Sequence, residues 1–280
     1  MILITIFIVI GIIIFYSYQS LEEPIQVVEL NLDYEPGGTR INLIDNSEIF
    51  FKYAYDKDWN EEEEIWRYVY YEPKPQLEAF IDDIGDHNDN QKTVFVIPVF
   101  TTTAYWEPGF YNYYKGECDE SCLTKKIGFE LPFTWASSDN GIKILRLLGY
   151  DFITDIEIDK NPEILKNYDK IIILHNEYVT QKEFNAITSH PKVIYLYPNA
   201  LYAEVTVDYE SETITLVRGH GYQGVNNSFD WEFDNTHPDE FNIECTNWKF
   251  NKISNGIQLN CYPEKILYKE IALLKAIKEF

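Results

Sequence analysis

The chain opens on an apolar run in which no side chain from Met1 to Leu21 carries a charge, and Ile, Leu, Val and Phe fill most positions. About 20 residues at a helical rise of 1.5 Å match a hydrocarbon core of roughly 30 Å, so residues 1–21 are expected to form a transmembrane anchor. A cleaved signal peptide is the competing reading, but the run lacks the basic start and small-residue cleavage site that such a peptide needs. Glu22 and Glu23 follow, and the first basic residue is Arg40. The expected product is a single-pass cell-membrane protein with its C-terminal body outside the cytoplasm.

Beyond the anchor the periodicity changes twice. Residues 22–90 are β-rich: "IQVVELNLDYE" alternates, "PGG" marks a turn, and "RINLIDNSEIFFKYAYD" supplies two further strand-like runs. "PQLEAFIDDI" has helical spacing, with Leu77, Phe80, Ile81 and Ile84 on one face. From residue 91 to 280, continuous apolar runs alternate with amphipathic ones. "TVFVIPVF", "DKIIIL" and "KVIYLY" are expected as strands buried on both faces, and "DFITDIEI" as another strand. "SSDNGIKILRLLGY", with Ile142, Ile144, Leu145 and Leu148 and a stop at Gly149, is expected as a helix, as are "PEILKNY" and "TQKEFNAITSH". This succession predicts an α/β fold with a doubly wound, mostly parallel sheet. "AEVTVDYESETITLVRG" predicts an antiparallel hairpin on the sheet edge, and "PEKILYKEIALLKAIKEF" a closing amphipathic helix.

Charge and cysteines narrow the partners. A net charge of −23 excludes a nucleic-acid footprint, which needs clustered Lys and Arg, and keeps the body off anionic lipid head groups. "DDIGDHNDN" lacks EF-hand spacing and its closing Glu, which favours a solvated loop over a calcium site. Four cysteines in an exported domain favour disulfides, and of three connectivities the near-neighbour pairs Cys118–Cys122 and Cys245–Cys261 are expected. Their spacing does not suit a zinc knuckle. Asn226-Asn227-Ser228 is a glycosylation sequon, consistent with export.

In an open α/β sheet, ligands bind outside the carboxyl ends of the strands. Three segments fall there: "TTTAYWEPGFYNYYKGECDESC", "HNEYVT" and "PNALYAE". They offer His175, Glu177 and Tyr178 together, Asn199 and Tyr202 nearby, and a possible binding wall of Tyr105, Trp106, Phe110, Tyr111, Tyr113 and Tyr114. In a chain that is 16% aromatic, packing competes for those rings. His220, in "RGHGY", is placed in a turn.

Residues 141–205 resemble the C-terminal domain of the N,N-dimethylformamidase large-subunit family, which is related to the class I glutamine-amidotransferase-like fold. The resemblance rests on the "GYD" helix exit, "TD" in the next strand, "L..YDKIIIL", "H.EY" at the strand end, and an Asn plus an aromatic residue after the following strand. It implies an amide hydrolase using iron held by tyrosine and glutamate side chains. On this chain it offers Tyr178 as a metal ligand, with Glu177 and His175 beside it as catalytic candidates. The chain departs from the family where Leu174 and Val179 replace a Gly and a Trp, and where Tyr197-Pro198-Asn199 stands for a Gly-Gly-Asn turn. The amidotransferase nucleophile elbow is absent too.

Two classes of function follow. One is an iron-dependent amide hydrolase built around "HNEY". The other, which the lost glycines favour, is a diverged, non-catalytic domain on the same scaffold that binds a glycan, a peptide or another envelope protein.

Overall fold

The computed structural model describes residues 41–62, 64–86, 91–128, 138–231 and 241–280. The expected anchor, residues 1–21, lies outside them. Among the described residues no helix is long and apolar enough to cross a membrane.

The first strands are β1 (Ile41–Asn46), β2 (Phe50–Tyr55), β3 (Trp59–Asn60), β4 (Ile65–Trp66) and β5 (Tyr70–Pro73), followed by the short helix α1 (Ile81–Ile84). The α/β part begins with β6 (Thr93–Ile97), α2 (Val99–Tyr105), α3 (Phe110–Tyr114), β7 (Thr124–Lys126), α4 (Asp139–Leu147), β8 (Asp151–Thr154) and α5 (Asp155–Lys160). It continues through β9 (Lys170–Ile173), β10 (Tyr178–Val179), α6 (Gln181–Ser189), β11 (Val193–Tyr195), β12 (Ala203–Asp208) and β13 (Thr213–Arg218). It closes with β14 (Phe250–Ile253), β15 (Gly256–Leu259) and α7 (Ile271–Glu279).

Six strands form the main sheet in the order β14-β15-β11-β9-β6-β8. All neighbouring pairs are parallel except β14 with β15. The alternation along each buried run divides it between two cores. Phe95, Ile97, Ile172, Leu174, Ile194 and Leu196 pack with Ile142 and Leu145 of α4 and Leu273 and Ile277 of α7. Val94, Val96, Ile171, Ile173, Val193 and Tyr195 pack on the other face with Ile158 of α5 and Ile187 of α6. This explains why the runs are apolar at every position. Ile49, Phe50, Tyr71 and Leu77 from the β-rich part join the first of these cores. Gly256 opens β15 where a Cβ would lie 1.8 Å from the Val193 carbonyl oxygen, so only glycine lets β11 and β15 approach.

Three expectations need correction. The hairpin β12–β13 does not extend the main sheet: it sits in a separate four-stranded sheet, order β10-β12-β13-β7. Its alternating residues Ala203, Val205, Ile214 and Leu216 cover Phe100 and Ala104 of α2 and Phe110 of α3. "DFITDIEI" is strand only to Thr154. The Thr154 hydroxyl accepts the Glu157 N–H while the Glu157 carboxylate accepts the Thr154 N–H, a capping box that starts α5. The tail is a 3₁₀ turn at Pro263–Lys265 and then α7, and the buried Lys170 ammonium donates to the Ile277 and Lys278 carbonyls at its end.

Both expected disulfides are formed, Cys118–Cys122 and Cys245–Cys261. The second ties together the two ends of the β14–β15 hairpin. Asn226 of the sequon is exposed.

Candidate active site

The strand order reverses between β6 and β9, and the crevice beyond their carboxyl ends is where ligands bind in such sheets. The loop Leu174-His175-Asn176-Glu177 leaves β9 at this point. Its backbone is fixed by the next crossover: Leu201 N–H donates to the Asn176 carbonyl, and the N–H groups of Tyr202 and Ala203 donate to that of Glu177. His175, Asn176, Glu177 and Tyr178 are all fully buried.

The Glu177 carboxylate is the centre of the cluster. Tyr105, at the end of α2, donates its hydroxyl to Oε2 at 2.7 Å. Tyr111, on α3, donates to the Tyr105 hydroxyl oxygen at 2.7 Å and lies 3.4 Å from Oε1. His220 Nε2 is 2.5 Å from Oε1, and His175 Nε2 is 3.4 Å from Oε2. The His175 ring stacks on Tyr197, with centroids 4.9 Å apart, and its Nε2 lies 2.9 Å from the amide nitrogen of Asn199.

His220 reaches Glu177 through backbone geometry that its neighbours permit. Gly219, His220 and Gly221 all have positive φ, at 124°, 51° and 84°. A Cβ on Gly219 would lie 2.8 Å from both Ala203 Cβ and Ser228 Oγ, so glycine is required there. The turn folds the His220 ring onto the carboxylate and beneath Tyr202, whose ring meets it edge-on at 4.5 Å.

Burial by itself pushes the Glu177 pKa up. The charge and hydrogen bond of His220, the charge of His175 and the Tyr105 hydroxyl together outweigh it and hold the group below the usual carboxylate range. The same negative charge acts against the tyrosines. Burial first, and then Glu177, push Tyr105 and Tyr111 well above an ordinary phenol. Tyr178 shifts the same way, through burial and its tyrosine and glutamate neighbours.

Tyr178 therefore sits differently from the other candidates. Its N–H donates to Thr101 Oγ1, and its ring packs edge-on against Phe110. Its hydroxyl is buried within reach of the Tyr111 and Tyr114 hydroxyls, where the three phenols interact with one another without a well-aligned hydrogen bond to Tyr178. The side-chain amide of Asn176 and the Asn199 Oδ1 are also buried without partners among the described residues. Two such side chains beside one carboxylate are notable, since buried polar atoms are nearly always paired.

A cavity of about 520 Å³ adjoins the cluster. Tyr105, Tyr111, Asn199, Phe241, Tyr262 and Glu264 line it. Glu264 comes from the 3₁₀ turn before α7. Tyr197 donates its hydroxyl to Oε1, and Asn140 at the start of α4 donates its N–H to Oε2 at 3.2 Å. Burial and nearby Asp139 outweigh these donors and push its pKa up to about 7.

Of the residues singled out from the sequence, the structure joins Tyr105, His175, Glu177, Asn199 and Tyr202 around one centre. Tyr178 borders it with its hydroxyl turned to Tyr111 and Tyr114. His220, expected in a turn, does sit in one and carries its ring to the carboxylate; Tyr197 and Glu264 complete the site without a local motif that announces them. Among the described residues no three His, Cys, Asp or Glu side chains are placed to hold a metal ion. The hydroxyls of Tyr105 and Tyr111 with the Glu177 carboxylate instead form a compact set of four oxygens from three side chains. That donor chemistry fits a hard, highly charged cation such as ferric iron, which would supply the positive charge that buried phenolates need. No known family model matches the chain, and no curated protein does.

Proposed function

We propose that the domain is a metal-assisted amide hydrolase, with iron held by Tyr105, Tyr111 and Glu177. In this reading the domain belongs to a membrane-anchored protein facing away from the cytoplasm. The observation that carries it is the meeting of two buried tyrosine hydroxyls and a carboxylate within 2.7–3.4 Å, against the wall of a cavity. The resemblance of residues 141–205 to the N,N-dimethylformamidase family, whose iron is held by tyrosine and glutamate, points the same way. The ligating tyrosines are then Tyr105 and Tyr111 in place of Tyr178.

When bound, the metal polarises a carbonyl and lowers the pKa of bound water. The chain's own residues do the rest. His220 and His175 keep Glu177 ionised. Asn199, whose amide nitrogen lies 2.9 Å from His175 Nε2, holds that ring in place at the edge of the cavity. Glu264, in the cavity wall and with its pKa raised to about 7, takes or gives a proton there. The two disulfides and residues 1–21 support the extracytoplasmic, anchored setting.

A second reading keeps the scaffold without the chemistry, as a surface domain that binds a glycan, a peptide or an envelope protein. It is favoured by one observation: both Glu177 oxygens are engaged by donors of the chain itself. Metal analysis of the purified full chain separates the two. Near-stoichiometric iron that falls in Tyr105→Phe and Tyr111→Phe, and stays in Tyr178→Phe, supports the hydrolase. Absence of metal in the wild type after growth with iron favours the binding module.

A further inference from the structure

The cavity beside the cluster has a composition that the hydrolase reading does not by itself require. Tyr105, Tyr111, Tyr262 and Phe241 contribute aromatic rings, while Glu264 contributes a buried carboxyl. Tyr105 and Tyr111 stand with centroids 4.3 Å apart, and the Tyr105 and Tyr262 rings both approach the His175 ring, at 5.6 and 5.7 Å. Among the described lining residues the one basic group is Lys265, which is half-exposed and paired with Glu244 at the rim. A second carboxylate, Glu177, lies directly behind the Tyr105 hydroxyl.

Aromatic faces attract cations through the ring quadrupole, and a carboxylate in the same low-dielectric pocket strengthens that attraction. Anions meet the Glu264 carboxylate, while the charge of Glu177 behind the wall is balanced by His220 and His175. We propose that this cavity selects an organic cation, an alkylammonium group seated among the tyrosine rings with its charge toward Glu264. The volume, about 520 Å³, is that of a site for a small organic molecule rather than for a bare metal ion. The inference rests on the cavity being the substrate pocket, so the substrate of the proposed hydrolase would be an amide that carries a quaternary or alkylated ammonium group.

Several charged and titratable groups face Glu264. Asp139 and Lys143 come from α4, Lys52 from β2, Tyr71 from β5 and Tyr197 from the end of β11. Lys143 is held by Asp139 at 2.7 Å, and the Lys52 ammonium lies over the Tyr268 ring, so neither supplies the cation of the cavity.

The test is calorimetric titration of the full chain in detergent with choline and with its neutral isostere 3,3-dimethylbutan-1-ol. It is run at about pH 8.5, where Glu264 is ionised. Choline is expected to bind at least about tenfold more tightly than the alcohol, the difference one favourable cation–aromatic site makes. Glu264→Gln and Tyr262→Leu, each read with a circular dichroism spectrum as a fold control, are expected to erase most of that preference. Equal affinity for the two ligands in the wild type, or no choline binding, overturns the proposal without any variant. Full choline preference in folded Glu264→Gln overturns it as well. Iron measured on the same preparation reports separately on the hydrolase reading, so the two can fail independently.

Discussion

Replacing Glu183 with Gln tests how this fold stores protons in its interior. Glu183, in the first turn of α6, is fully buried, with Oε2 accepting the Thr180 N–H and Oε1 unpartnered. Asp155 is equally buried and accepts the Phe100 and Ile156 N–H groups. Asp159 stands nearby, bonded to the Thr180 and Tyr209 hydroxyls, and the closest cation, Lys182, is 3.8 Å from it and largely exposed. Burial first, and then the neighbouring carboxylates (Asp159 for Asp155, Asp155 and Asp159 for Glu183), push both groups well above the carboxylate range.

The sign follows from proton linkage. The folded state holds a proton that the unfolded chain releases near pH 4.3, so stability is full below that pH and falls as pH rises toward the folded pKa. The slope is about 1.4 kcal/mol per pH unit for each retained proton, or at most about 3.7 kcal/mol between pH 4.3 and 7. Glu183→Gln removes the titration while keeping the shape and the Thr180 contact. Its unpartnered amide end costs the same at every pH, so the slope carries the information. Urea unfolding of wild type and variant at intervals from about pH 4.5 upward should show the variant gaining on the wild type by up to about 1.4 kcal/mol per unit for as long as the folded protein keeps the proton. Parallel curves would refute the buried proton. Asp139, near 6, and Glu264, near 7, are raised in the same direction, so the wild type should be most stable in mild acid.

Other outcomes are as direct. His220→Ala removes the largest influence that keeps Glu177 ionised; a lowered carboxylate pKa stabilises above the unfolded value and is lost as pH falls through the folded one. Stability at pH 7 should therefore drop by about 3 kcal/mol, and the drop should shrink in acid, as followed by urea unfolding. Cys245→Ser with Cys261→Ser opens a loop of 16 residues and should cost about 3 kcal/mol, with non-reducing mass mapping confirming the pairing in the wild type. Deleting residues 1–21 should move the protein from the membrane pellet to the soluble fraction with its circular dichroism spectrum unchanged.

Much of this architecture is legible along the chain because the main sheet is buried on both faces. Continuous apolar runs such as Ile171–Leu174 and Val193–Leu196 suit strands buried on both faces, and "HNEY" at the end of one of them marks the centre of the site. What was not legible depends on contacts across the fold. Thr154 and Glu157 look like strand residues until they are seen as a reciprocal cap. The β12–β13 alternation announces a hairpin, but its partners β7 and β10 are too short to announce themselves, so the sheet it joins was misassigned. His220 stands 43 residues from Glu177, and only the positive-φ turn around it brings them together. The resemblance points to Tyr178 through "H.EY", whereas α2 and α3 deliver the Tyr105 and Tyr111 hydroxyls from a segment that the resemblance does not cover.

The central claim is that Tyr105, Tyr111 and Glu177 form a metal-binding set. The most direct measurement is the visible absorption spectrum of the purified chain after stoichiometric ferric iron is added under conditions that exclude free ferric hydroxide. A tyrosinate-to-iron charge-transfer band that persists in Tyr178→Phe and is lost when Tyr105 and Tyr111 are both replaced by Phe is the predicted result. A spectrum without that band, or one unchanged by the double replacement, would contradict it.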